Sequence, residues 1–206
     1  MNRITVLILL LFLITSCAPQ NKILTREEAL RERSEQIAAT TRTYYNIKSD
    51  EVLIAADRLF RLADGSDFDI VHTENSVIAN RKWLVYLVFA AAFGTDHWIV
   101  LAEQDGANVK VAVRVNTTNT PIAPMATTGG SQTWTAVTLP GVESSIKGRA
   151  LYEIFFQRLD YLLGKSIEWW DCPKAEQKIE EMKLEGLYEP LCNSFNIADD
   201  HPDKHD

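Results

Sequence analysis

The chain has 206 residues, 46% of them apolar and 24% charged, with a formal net charge of −7 at neutral pH. That is enough apolar material for one well-buried domain, and an acidic balance with Lys and Arg dispersed among the acids argues against nucleic acid or anionic head groups as partners. No internal repeat or long low-complexity tract is present, which sets aside solenoids and propellers.

In chain order, the first segment is a targeting signal. Arg3 precedes an apolar run, Val6 to Ile14, which Ser16, Pro19, Gln20 and Asn21 cut short. A membrane crossing needs ~20 apolar residues, so the run reads as a secretory signal and not as a spanning helix. An ordinary cleavage site carries small residues in an Ala-x-Ala pattern, whereas Ile14-Thr15-Ser16-Cys17 places a Cys at the junction. These residues resemble the lipobox of bacterial lipoproteins. The resemblance implies that residues 1–16 are removed and that Cys17 becomes a lipidated N-terminus, carrying a diacylglyceryl thioether and an acylated amine, palmitate being the usual chain. Two or three acyl chains hold a protein on a bilayer durably where a single chain does not. Loss of Arg3 would take the net charge to −8. Ala18 stands where an Asp would favour the inner membrane, so the expected place is the periplasmic side of the outer membrane.

With Cys17 assigned to lipid, Cys172 and Cys192 remain in a chain expected to be exported, and pairing is the expectation. Closing a loop of ~20 residues would stabilise the fold by about 3 kcal/mol. Two free buried thiols are the other reading. Zinc is disfavoured because neither Cys has a C-x-x-C or short C-x-H companion.

Residues 18–23 read as a tether, and Thr25-Arg26-Glu27-Glu28 begins a helix with a capping box. Leu30, Ile37 and Tyr44 recur seven apart on it, with Ser34 and Thr41 between them, so the apolar stripe is narrow: a spacer helix, or a surface for a partner helix. A second helix is expected over Asp50–Ala63 with Ser49 as N-cap, burying Val52, Ala56, Leu59, Phe60 and Ala63. Strands then follow over Phe68–Thr73 and Ser76–Arg81 around a turn at Glu74-Asn75.

The uninterrupted apolar run Trp83–Phe93 suits a central buried strand, with buried helix and membrane contact as alternatives. His97–Glu103 is a strand candidate, Gln104–Asn108 a hairpin loop, and Val109, Val111, Val113 and Val115 alternate cleanly on one face. Asn116–Ser131 is expected to be a loop and Gln132–Leu139 an edge strand. A long helix over Ser145–Leu163 places Leu151, Ile154, Phe155, Leu159 and Leu162 on one side, Glu153, Gln157 and Asp160 on the other, and Gly164 past its end. Trp169-Trp170 either seals the core or forms a recognition patch. Pro173 opens a short helix that Gly186 closes, and residues 198–206 are a polar end.

The expected fold class is therefore α+β: two layers, an antiparallel sheet of about 5–6 strands packed on helices, with the long C-terminal helix across it. Its divisions are a signal peptide (1–16), a lipidated tether and spacer helix (17–48), a core domain (49–165) and a disulfide-pinned extension (166–206).

No nucleophile with its base, phosphate loop or metal-ligand spacing stands out, so no catalytic residue, metal or cofactor is assigned. Gly129-Gly130-Ser131 lacks the Lys and helix start of a phosphate loop. His72 and His97 sit near strand ends, and the Asp199–Asp206 tail lacks preorganisation for a cation. The expected function is contact: a lipid-anchored, periplasm-facing structural or assembly component of an envelope complex, of the secretion, conjugation or envelope-assembly type. Its membrane partner is reached through Cys17, and its protein-partner surface is drawn from Leu30, Ile37, Tyr44, Trp169 and Trp170. The alternative is a small-molecule or lipid-binding module with a cavity between helix and sheet; a hydrolase using His72 or His97 comes third.

Overall fold

The structure is a computed structural model that describes residues 24–64, 68–87, 90–126, 134–138, 141–192 and 202, with backbone alone at 86–87, 90, 123–126 and 134–138. Cys17, the signal segment, the 18–23 tether, Gly129-Gly130-Ser131 and all of the acidic tail except Pro202 lie outside these residues. The chain divides into two units, 1–34 and 35–206. In the first, the Thr25 hydroxyl accepts from the Glu28 N–H at 3.2 Å and the Thr25 N–H donates to the Glu28 carboxylate at 2.9 Å, the reciprocal capping box its sequence announces. This box opens helix α1 (Arg26–Thr40), which runs on into the second unit and buries no residue.

In the second unit the chain continues through β1 (Thr41–Tyr45), α2 (Ser49–Asp64), β2 (Phe68–His72), β3 (Ser76–Leu87), β4 (Ala90–Asp105), β5 (Asn108–Ala126), β6 (Trp134–Thr138), β7 (Val142–Ser145), α3 (Ala150–Leu162) and α4 (Cys172–Met182). The fold is α+β, with one antiparallel sheet ordered β1-β5-β4-β3-β2 and with β6 and β7 also paired to β5. The same edge of β5 meets three strands in succession: β1 at 108–112, β7 at 116–119 and β6 at 122–126. β4 runs along its other edge.

The period of two puts Val109, Val111, Val113 and Val115 on one face, in register with Ala102, Val100 and Trp98 of β4 and with Val77 and Ala79 of β3, and all are buried. Against them lie the expected α2 residues Val52, Ala56, Leu59, Phe60 and Ala63 and, from α3, Leu151, Ile154, Phe155 and Leu159. Phe60 meets Phe68, Trp98 and Phe155 at centroid distances of 5.1, 5.3 and 6.0 Å. Aromatic rings from α2, β2, β4 and α3 thus meet between the helices and the sheet.

Several expectations are corrected. Tyr44 does not extend the helical stripe: α1 stops at Thr40, and Tyr44 is a buried residue of the edge strand β1, so the packed domain starts before residue 49. The run Trp83–Phe93 is not one strand, since Leu87 pairs with Ala90 and the run folds back on itself as a hairpin. Asn116–Ser131 is not all loop; β5 continues to Ala126 because β4, β7 and β6 supply its ladder partners. The long C-terminal helix is replaced by a 13-residue one, because residues 142–145 are taken by β7 pairing with β5. At its start the Glu185 carbonyl accepts from the Arg149 and Ala150 N–H groups, doing the work of a side-chain cap. Gly164 (φ +68°) ends it as expected, whereas α4 ends at Met182, before Gly186.

Candidate functional site

The proposed contact residues separate. Leu30 and Ile37 are exposed on α1, whereas Tyr44, Trp169 and Trp170 are each about 5% exposed and form no free surface. Trp169 packs against Tyr161 and under the Arg158 guanidinium, whose carbon stands 5.1 Å from the ring centre, so the tryptophan pair seals the core and the recognition-patch reading is set aside.

Cys172 and Cys192 form a disulfide with Cα atoms 5.3 Å apart. Beside it Arg158, fully buried, donates through Nε to the Trp170 carbonyl at 2.8 Å and through one terminal nitrogen to the two sulfurs at 3.5 and 3.3 Å. This clasp fixes the end of the described chain to α3. A second buried cation, Arg81, meets Asp96 at 3.1 Å and the Glu189 carbonyl at 3.2 Å. A third bond set joins β1 to α3: Tyr44 donates to Asp160 at 2.7 Å, and Arg42 pairs with Asp160 and lies 4.7 Å from the Phe156 ring centre. The polar side of α3 is therefore held by β1 through Asp160. Sequence reasoning passed over all three; the available signal was a charge set among apolar neighbours, as in Phe155-Phe156-Gln157-Arg158-Leu159.

The two histidines are not brought together. Register places His72 on the helix-bearing face, where it meets Asp57 at 3.3 Å, and Asp57 also pairs with Arg61. Partial burial alone would raise the Asp57 pKa, but the hydrogen bonds from Arg61 and His72 outweigh it and hold the carboxyl below its usual range. His97 lies on the opposite face, its Nδ1 against Asn80 Oδ1, in a cross-strand row with Asp69, Asn116 and Ser145. Among the described residues, no group of three His, Cys, Asp or Glu side chains is placed to hold a metal ion.

What remains is one end of the sheet. Beyond the buried Arg81–Asp96 pair the hydrophobic core stops, and among the described residues no member of that core comes from 82–95. There β3 and β4 run on as a hairpin, with Leu84, Val85 and Phe93 at 51%, 42% and 40% exposure. Register puts Leu84 opposite Phe93 on one face and Val85 opposite Ala92 on the other, so both faces are apolar. Residues 83–95 contain no Asp, Glu, Lys, Arg or His, and neither do 115–142, which supply the neighbouring parts of β5 and β6. In a chain that is one quarter charged, the residues of this hairpin beyond Lys82 carry no charge. Gly94 lets the extension close up: a Cβ there would overlap the Trp83 ring and the Thr118 carbonyl oxygen. The arrangement offers no reacting group, but it offers a solvent-facing apolar surface of the kind that marks contact sites. The signal was legible as a gap in the charge pattern.

Comparison with family signatures, with curated proteins and with solved structures returns no match for this chain. Among the described residues no helix is long and apolar enough to cross a membrane.

Proposed function

We propose that the chain is a lipid-anchored, periplasm-facing structural or assembly component of a bacterial envelope complex, held on the outer membrane through Cys17 and acting by protein–protein contact. The observation that carries the contact reading is the uncharged, exposed β3–β4 extension, a surface that water disfavours and a partner would cover. The lipobox-like Ile14-Thr15-Ser16-Cys17 supports the anchor, and Ala18 supports the outer membrane. With Tyr44, Trp169 and Trp170 buried, this end of the sheet joins exposed Leu30 and Ile37 of α1 as the surface open to a partner.

A photo-crosslinking residue at Leu84 or Phe93, in native membranes, should give discrete protein adducts that the same residue at exposed Glu103 does not. Lipid adducts alone, or none, would remove the contact reading. Separately, Cys17→Ala should move the protein from the membrane to the soluble periplasmic fraction; unchanged fractionation would remove the anchor.

A further inference from the structure

Resting on the contact reading above, the geometry points to the partner: we infer that a second copy of this chain adds its β3 to the outer edge of β3, residues 83–87, just past Lys82, joining two sheets across a two-fold axis. β2 pairs with β3 only as far as Phe68↔Arg81. Among the described residues no strand borders β3 on that side beyond Arg81, which leaves a row of backbone donors and acceptors at the edge of an apolar strand. Exposed sheet edges are ordinarily blunted by charge, proline or a bulge. Residues Trp83-Leu84-Val85-Tyr86-Leu87 contain no charge, proline or glycine and are rich in strand-favouring types. The other border strands differ: β1 carries Arg42, β2 Asp69 and β7 Glu143, while uncharged β6 interleaves threonines.

The charge pattern selects the occupant. Two copies of an acidic chain repel overall, and a self-complementary edge without charge lets them meet face to face with no like charges opposed. The 83–87 edge, with the uncharged 116–122 part of β5 paired to the β4 arm of its hairpin, satisfies that condition against itself. Antiparallel strand addition also satisfies the edge backbone, which burial in acyl chains would leave unpaired.

The test uses the full, processed protein in native membranes and in mild detergent. Val85→Cys should give a disulfide-linked homodimer on gentle oxidation, since facing positions of an antiparallel pair lie within bridging distance. Ile54→Cys, exposed on α2, should not. Leu84→Lys and Val85→Lys, at positions open to water in the single chain, should keep the thermal transition while raising the dimer dissociation constant about tenfold or more, through like charges facing across the axis. A monomer at all concentrations, or a dimer indifferent to both Lys variants, overturns the inference. So does an environment-sensitive dye on Val85→Cys that reports hydrocarbon in phosphatidylcholine–phosphatidylglycerol vesicles with no dimer present. If Leu84 crosslinks only to a different protein, the contact function stands and self-pairing falls; if it crosslinks to nothing, both fall.

Discussion

Asp96 faces Arg81 across the β3–β4 ladder with 3.1 Å between carboxylate and guanidinium and with both side chains almost wholly removed from water. The pair closes the hydrophobic core at the point where the uncharged extension begins. Removing one partner strands the other charge in the interior, so Asp96→Ala should cost about 3–5 kcal/mol of unfolding free energy. The double change Arg81→Met with Asp96→Ala should cost markedly less than Arg81→Met and Asp96→Ala combined. Urea titrations of the four proteins measure the coupling, and additive costs would show that the two charges act independently.

Tyr44 makes alkaline stability a readout of β1. Burial first, then the adjacent Asp160 carboxylate, pushes its hydroxyl far above the ordinary value of 10.0, with Arg42 pulling weakly the other way. Burial also raises Tyr152, whose hydroxyl donates to the Ile146 carbonyl at 2.9 Å, against an opposing interaction with the Val115 backbone. Both values are higher folded than unfolded, so their stabilisation is whole below about pH 10 and is lost as pH climbs beyond it. Phenolate absorbance should show Tyr44 and Tyr152 ionising later than free tyrosine, and Tyr44→Phe should flatten the stability loss above pH 10.

Two glycines should respond to alanine for different reasons. At Gly94 the added methyl has no room between the Trp83 ring and the Thr118 carbonyl, and overpacking of this kind costs about 1–3 kcal/mol or more. At Gly106, φ is +59° and the space is open, so the cost is the left-handed backbone alone, about 1–2 kcal/mol. Thermal melts of Gly94→Ala and Gly106→Ala should separate the two, with the extension perturbed only in the first.

The Cys172–Cys192 bridge should be worth about 3 kcal/mol by loop closure. Reductant should lower the melting temperature of the native protein and leave a Cys172→Ala, Cys192→Ala double variant unchanged. Arg158→Met should destabilise by a further 1–3 kcal/mol, because the Trp170 carbonyl loses its buried donor. Equal melting of the native protein with and without reductant would refute the bridge's contribution.

Much of this architecture was legible in the residues. The alternation from Val109 to Val115, the α2 stripe, the turn at Glu74-Asn75 and the Cys pair are local or near-local patterns, and each came out as read. The failures share a cause. Leu87 pairing with Ala90 leaves no mark inside an apolar run, since a hairpin and a strand bury the same residue types. Thr117, Thr118 and Asn119 read as loop because their β7 partners, Ser144, Glu143 and Val142, lie about two dozen residues away. Tyr44 fits a seven-residue repeat that ends four residues before it. Of the candidate site, the chemistry-bearing residues gave no signal, and the informative pattern was a stretch where charge is missing.

The outer edge of β5 has a kinetic meaning. It is completed by one segment that precedes it, β1, and two that follow it, β7 and β6. No contiguous piece shorter than residues 41–145 contains all the strands that border it, and pairings over such separations are slow to form because the intervening chain must be closed first. A chain that crosses a membrane N-terminus first would expose β5 before β6 and β7 arrive, with a strand edge waiting in the open. In a chain so exported, the interval between emergence and completion would be the window in which a chaperone, or another copy, has its opportunity.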